Sequence, residues 1–346
     1  MSTTYQSAGV NIDAGNEAVS RIKHIVKTTF DEHVLTGIGS FGSMYDIGSF
    51  LKNYHHPILV QSTDSVGTKV KIATMTGKHK NIGLDMVGHS CGDILAQGAR
   101  PITFLDYIAT DSVRPDHIAE VVRGLAEGCQ ESGMSLVGGE VAEMPGVYAP
   151  NEYDLVGTIT GIVEKDKVIT GERIAEGDIL LGFASNGLHT NGYSLARKLF
   201  FEMGHYSVTS EIPEFEGTVG EELLKPHTNY TRPVLGLLDA GIDIKGIAHI
   251  TGGGMLENIP RILPKSCVAE IQKGSWPVLP IFNVVQQIGG VEEREMYRTF
   301  NMGIGMVLVV HANDVGKVKM KVSEFSEFDI YEIGRVVERT GQVIFM

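Results

Sequence analysis

Residues 82–138 read IGLDMVGHSCGDILAQGARPITFLDYIATDSVRPDHIAEVVRGLAEGCQESGMSLVG. Two helices and two strands follow one another here, and they settle the class of fold. Residues 82–98 read as a helix. Residues 115–133 read as a second one, with Pro115 at its start and Gly133 at its end. Proline suits a first turn, whose N–H is unpaired anyway, and glycine suits the left-handed exit. Residues 102–109 and 134–138 are strand-like.

Outward from this block the mixture continues. Val19, Ile22, Val26 and Phe30 recur at the spacing of one helix face, which predicts a helix over 16–30. Residues 57–63 read as a short buried strand and 155–163 as another. The hydrophilic stretch 164–178, with Gly171 and Gly177, marks a domain boundary. Beyond it, residues 179–184 open a second set of elements. Helices are expected at 191–203, 230–240 and 281–288, and strands at 247–251, 267–271, 304–311 and 330–337. Strict β-α alternation is absent, so the expected class is α+β, with two domains of mixed sheets flanked by helices. Residues 1–170, with an extended arm at 1–16, form the first domain and residues 171–346 the second.

Composition agrees. The chain has 346 residues, too many for a single core, since cores stop growing near ~250–300 residues. Glycine accounts for 42 of them, well above the average share of ~7%, and it gathers in short clusters suited to close backbone approach to a ligand. A formal net charge of −13 argues against nucleic acid, which demands a basic face. Cys91, Cys129 and Cys267 are odd in number and form no CxxC pair, which argues against a disulfide frame or a zinc site. No apolar leader opens the sequence, and the apolar run at 304–310 is too short to span a bilayer. A cytoplasmic protein without a membrane partner is expected.

Several motifs carry chemistry. Gly37-Ile38-Gly39-Ser40-Phe41-Gly42 spells a dinucleotide fingerprint but follows a helix rather than the strand that fingerprint requires. A glycine loop near a ligand and a plain surface loop both remain open. Asp64 and Lys69 in TDSVGTK (63–69) place a carboxylate and an ammonium on one turn, able to hold a metal and a phosphate or simply to be solvated. Asp93, after Gly92, and Glu140, after Gly138 and Gly139, stand in similar glycine-flanked positions. Three such carboxylates suit Mg²⁺. Thr251-Gly252-Gly253-Gly254, between a strand and a helix, resembles an anion-binding turn. His189 lies in SNGLHTNG (185–192), which has the same strand-to-helix placement. No HExxH or G-x-x-x-x-G-K-[ST] loop occurs.

Taken in order, these segments resemble the phosphoribosylformylglycinamidine cyclo-ligases, also called aminoimidazole ribonucleotide synthetases. The likeness runs end to end. It covers YQSAGVNIDAGN (5–16), Arg21-Ile22-Lys23, TDSVGTK, FLDYIAT (104–110), LVGGEVAEMPG (136–146), GLHTNGYSLARK (187–198), HITGGGMLENIPRILP (249–264) and EMYRTFNMGIGM (295–306). The glycine loops alone would fit the wider superfamily with thiamine-phosphate kinases and selenophosphate synthetases; the arm and MYRTFN point to the cyclo-ligases. The resemblance implies a homodimer whose N-terminal domains pair their sheets. It also implies ATP-dependent closure of the imidazole ring of formylglycinamidine ribonucleotide, with release of ADP and phosphate.

By motif position Lys23, Asp64 and His189 are the expected catalytic groups. Asp64, Asp93 and Glu140 are the expected Mg²⁺ ligands. Gly39, Gly42, Asp64, Gly67, Thr68, Lys69, Gly138, Gly139, Gly252, Gly253 and Gly254 are the expected contacts to ATP or a substrate phosphate. The family pattern has Gly at Ser40 and Ser65, Asp at Asn11, Asn at Gly92 and Thr at Val141. Gly92 and Val141 each remove a polar group beside an expected metal ligand. Two alternatives stand beside this reading: another ATP-dependent kinase or synthetase of the superfamily, and a catalytically inactive ligand-binding dimer. Selenophosphate synthesis would want a reactive cysteine on the N-terminal arm, and the first cysteine is Cys91.

Overall fold

Residues 5–346 are described by the computed structural model of the chain. It divides into two units, one running to Ile94 and resuming over Pro101–Lys165, the other formed by Leu95–Arg100 and Asp166–Met346. The first carries a four-stranded sheet in the order β1-β4-β2-β3, made of β1 (Pro57–Ser65), β2 (Arg100–Thr110), β3 (Ser135–Glu143) and β4 (Tyr153–Glu164). β1 and β4 run antiparallel, whereas β2 and β3 run parallel.

Helix Lys80–Leu95 lies at the centre of this unit, with Ile82, Met86, Val87, Cys91 and Ile94 wholly buried. Enclosed on several sides, it also carries the polar Asp85, His89 and Ser90 into the core. It meets helix Pro115–Ser132 at glycine notches. A Cβ on Gly83 would stand 2.2 Å from the Val121 carbonyl oxygen, and one on Gly124 would stand 1.9 Å from that of Lys80. Pro115 opens the second helix and Gly133 closes it at φ 66, as the sequence predicts.

Strand alternation splits the sheet into two faces. Leu155 and Ile159 of β4 point into the core, while Leu59, Leu105 and Tyr107 stand exposed on the other side. The 57–63 strand is therefore half open rather than buried. The expected arm at 1–16 is shorter than its sequence suggests. Its residues 1–4 lie outside the described residues, Gln6–Ala8 form a 3₁₀ turn, and a helix runs over Ile12–Lys27. The Asn11 side chain starts that helix by accepting from the Ala14 N–H at 3.2 Å, the usual N-cap arrangement. β3 also outruns its prediction, continuing past Gly138 to Glu143.

The second unit holds a six-stranded sheet ordered β10-β7-β9-β5-β8-β6. Its strands are β5 (Ile179–Ala184), β6 (Ile244–His249), β7 (Cys267–Ile271), β8 (Ile304–Val310), β9 (Ile330–Glu338) and β10 (Ile344–Phe345). Only β10 and β7 pair parallel. β8 is buried at every residue, on both faces of the sheet, which accounts for its unbroken apolar spelling. The helix expected at 191–203 comes in two pieces, α-helical Tyr193–Arg197 and π-helical Lys198–Met203. Mixed sheets flanked by helices match the class read from sequence. Among the described residues no helix is long and apolar enough to cross a membrane.

Candidate active site

At the end of β1, strand alternation sends Ser62 and Asp64 to one face. On helix Lys80–Leu95, His89 and Asp93 are one turn apart and share a face. The two pairs meet. The ligating atoms of Asp64, His89 and Asp93 all lie within 4.8 Å of one another. His89 Nε2 is 2.6 Å from Asp64 Oδ2, and the Ser62 hydroxyl donates to Asp93 Oδ2 at 2.8 Å. His89 is buried and Asp64 half exposed. The hydrogen bond from His89 holds the Asp64 carboxyl below its ordinary value, against the opposing effect of burial. Burial also disfavours charge on His89, yet Asp64, with Asp93 and Asp85 behind it, raises the imidazole above its usual value.

Two carboxylates, a hydroxyl and an imidazole form a donor set that fits a divalent cation. Of the three carboxylates expected to bind metal, the structure joins Asp64 and Asp93, adds His89, and leaves Glu140 out of the convergence. Because β3 extends to Glu143, Glu140 is exposed in mid-strand opposite Tyr107 instead of ending a strand.

Beyond Asp64 the chain turns at Gly67, φ 67, into the 3₁₀ segment Gly67–Lys69. Gly67 and Thr68 are exposed. Lys69 departs from expectation. It is fully buried, its Nζ 2.7 Å from Asp85, which is equally buried. Burial pushes the ammonium below its ordinary value, with Asp85 working the other way. The charge of Lys69 is thus answered inside the protein, and the residue ties the turn to the central helix rather than facing a nucleotide.

Between helix Ile12–Lys27 and β3 lies a cavity of about 380 Å³, whose lining includes Asn11, Gly39, Asp106, Gly138, Gly139 and Glu140. Lys23 is exposed, and a Cβ on Gly39 would stand 3.9 Å from its ammonium. Three motifs far apart in sequence therefore meet, namely the RIK helix, the 37–42 loop and the Gly138-Gly139-Glu140 stretch. Gly42 is outside the lining and faces open space.

Asp106 is the residue that sequence reading missed. The β2–β3 register sets it opposite Gly139, where a Cβ would lie 2.4 Å from Asp106 Oδ1. Gly139 is small because the carboxylate occupies that space. One side of Asp106 opens on the cavity, but protein encloses the rest, and burial pushes the carboxyl up to about 7. An acid inside the apolar strand FLDYIAT was the available signal.

In the second unit His189 adopts φ 61, is 1% exposed, and stacks on His227 with ring centroids 4.1 Å apart. Its Nε2 lies 3.2 Å from Thr228 Oγ1. The expected catalytic histidine is instead a packed residue ordering its loop. In the glycine turn, Gly253 and Gly254 have φ 97 and 57. A Cβ on Gly254 would stand 2.1 Å from the Tyr297 carbonyl oxygen, and one on Gly253 would stand 2.7 Å from Glu257 Cβ. These two serve the turn and its packing, and Gly252 alone is exposed.

The turn lies beside the 185–192 loop, since a Cβ on Gly252 would be 3.5 Å from Asn191 Oδ1. Asn301 clasps that loop. Its Nδ2 donates to the Gly187 carbonyl at 2.8 Å, and its Oδ1 accepts from the Ser185 hydroxyl at 2.8 Å and the Gly303 N–H at 2.9 Å. Arg298 donates to Glu257 at 2.7 Å. The unusual MYRTFN spelling thus secures both loops.

Residues 51–163 match the family described as AIR synthase related protein, N-terminal domain, and residues 175–346 match the corresponding C-terminal domain. The chain is 50% identical over 340 residues to a phosphoribosylformylglycinamidine cyclo-ligase of Thermoanaerobacter pseudethanolicus, covering 98% of this chain and 99% of the relative. It is 51% identical over 343 residues to one of Caldicellulosiruptor saccharolyticus, covering 99% of each. Among solved structures, a thiamine-monophosphate kinase of Stenotrophomonas maltophilia superposes with TM-score 0.68 at 19% identity over 95% of both chains. A hydrogenase maturation protein HypE in complex with ATP gives 0.64 at 17% identity over 93% of this chain and 87% of that one. These structural likenesses show a shared fold.

Proposed function

The chain belongs to the AIR synthase family, whose members at about 50% identity to it carry the name phosphoribosylformylglycinamidine cyclo-ligase, and from that membership we infer that it closes the imidazole ring of aminoimidazole ribonucleotide using ATP. The single observation carrying this reading is the end-to-end identity, which spans both family domains. The chemistry is a ligation. An amide oxygen is a poor leaving group, and phosphorylation by ATP makes it a good one. The neighbouring nitrogen then attacks the same carbon, the C–N bond forms, and phosphate departs alongside ADP. Phosphoryl transfer asks a protein mainly for positioning and charge neutralisation. Ring closure is intramolecular, so orientation alone can supply as much as ~7–11 kcal/mol.

We assign the parts as follows. Asp64 and Asp93, with the Ser62 hydroxyl, would hold the Mg²⁺ that accompanies ATP. Their convergence at the end of β1 supports this. When bound, such a cation neutralises charge on phosphate oxygens. Lys23, exposed beside Gly39, would face the transferring phosphoryl group. Gly138 and Gly139 line the cavity that would receive the ligand, and Asp106, with a carboxyl near 7, can exchange a proton at neutral pH. Gly67 and Thr68 present exposed backbone to the nucleotide. Gly252 and the 185–192 loop receive the phosphate-bearing end of one of the two substrates. ATP use gains support from the fold shared with HypE bound to ATP and with a Thermotoga maritima PurL bound to AMPPCP (TM-score 0.54).

Residues 1–170 form the nucleotide, metal and dimerisation domain, and 171–346 the C-terminal domain. A homodimer is supported by the uncovered apolar sheet face at Leu59, Leu105 and Tyr107. A cytoplasmic location follows from the metabolic role. The test is ADP release by the purified protein. Turnover should require both formylglycinamidine ribonucleotide and a divalent cation, and equal turnover with thiamine phosphate would refute the assignment.

A further inference from the structure

We propose that His89 is a direct nitrogen ligand of the cation held by Asp64 and Asp93, so that this site prefers a first-row transition ion such as Mn²⁺ over Mg²⁺. The inference rests on the reading that these two carboxylates bind the cation, and concerns which ion the chain selects.

The donor set is built by two periodicities. On β1 a two-residue step puts Ser62 and Asp64 on one face, and on helix Lys80–Leu95 a four-residue step aligns His89 with Asp93. The Ser62 hydroxyl donates to Asp93 Oδ2 at 2.8 Å and so helps to orient that carboxylate. The His89 side chain is only 5% exposed, against 47% for Asp64. Its ring is therefore held by the core and presents Nε2, 2.6 Å from Asp64 Oδ2, to the more open carboxylates. Its ligating nitrogen lies within 4.8 Å of the ligating oxygens of both acids.

Mg²⁺ takes oxygen ligands and water almost exclusively and has no use for a preplaced imidazole. Imidazole nitrogen is a borderline donor whose addition favours Mn²⁺, Co²⁺ and Zn²⁺ over Mg²⁺. Mn²⁺ also keeps the octahedral, oxygen-rich environment that carboxylates and phosphate provide. A site of two carboxylates, one imidazole and phosphate oxygens suits it.

The test uses the full-length protein loaded with Mn²⁺ in the presence and absence of ATP. Pulsed electron paramagnetic resonance should show a ¹⁴N coupling from a directly bound imidazole, and protein labelled with ¹⁵N-histidine should convert it to the ¹⁵N pattern. In His89→Gln the coupling should vanish. Calorimetry should then show the Mn²⁺-to-Mg²⁺ affinity ratio falling ~10-fold or more, with most of the loss on Mn²⁺. Should His89→Gln fail to fold, the labelled wild type decides alone. Mn²⁺ bound in an Asp64-dependent way without nitrogen coupling would overturn the proposal and leave the metal–ATP reading standing. Absence of any Mn²⁺ or Mg²⁺ binding, with or without ATP, would overturn both.

Discussion

Replacing Lys69 by methionine keeps the length of the side chain and deletes its ammonium. Asp85, 2.7 Å away and completely buried, then loses the ammonium that faces it in the core. Breaking a buried pair from one side costs about 3–5 kcal/mol. For a unit of this size each kcal/mol moves Tm by about 2–4 °C, so the unfolding transition of the first unit should fall by roughly 6–20 °C. The double variant Lys69→Met/Asp85→Leu removes both charges and should recover most of that loss, because apolar replacements of buried pairs are often neutral. Scanning calorimetry of the three proteins without nucleotide, with ATP affinity measured in parallel, provides the comparison. A single variant that melts like the wild type but no longer binds ATP, with no rescue by the second change, would refute the buried-pair reasoning and return Lys69 to the nucleotide.

Asp106 should leave a signature in the pH dependence of stability. Its folded value, about 7, lies above the ordinary ~3.9 of an unfolded aspartate. The folded state therefore holds the proton more tightly. The stabilisation is complete below about pH 4 and is lost as pH rises through about 7, so wild-type stability relative to Asp106→Asn should decline by a few kcal/mol across that window. A flat difference would mean the carboxyl is not enclosed. Lys23→Ala should lower turnover by ~10²–10³-fold with ATP affinity little changed, while Asp64→Asn should weaken Mg²⁺-ATP binding; near-normal turnover of the lysine variant would make Lys23 a solvated flank. Light scattering at micromolar concentration should give twice the 37.5 kDa chain mass, and Leu105→Lys on the open sheet face should halve it. A monomeric wild type contradicts the dimer.

Elements with local punctuation were legible in the sequence. Helix Pro115–Ser132 is bracketed by its own proline and glycine, and β7 was expected at the bounds Cys267–Ile271 that it adopts. Motifs that expose their chemistry pointed to residues that the fold does bring together, as with Asp64 beside Asp93 and the cavity-lining glycines at 138 and 139. What failed depended on partners distant in sequence. TDSVGTK spells a surface turn, and nothing in it reveals that Lys69 swings inward to Asp85, sixteen residues on. His89 belongs to none of the motifs, and its meeting with Asp64 depends on the β1–helix packing. Glu140 was misplaced because a double glycine looked like a strand end, although β3 pairs with β2 straight through it. His189 read as a ligand contact because its loop is rich in polar residues, yet packing against His227 claims its ring.

The glycine notches between helices Lys80–Leu95 and Pro115–Ser132 bear on how the first unit is assembled. Backbone touches backbone at Gly83 and Gly124, so the contact has no side chain to truncate, and alanine scanning, which can only add a methyl there, would jam the joint instead of loosening it. The two helices are separated in sequence by little more than β2, which makes their docking one of the more local long contacts available and suits it to an early folding step. A joint of this kind does not tighten gradually, because the backbones either seat or remain apart. A methyl at either glycine should therefore show itself first as slowed refolding, before any change in the rate at which the finished unit comes apart.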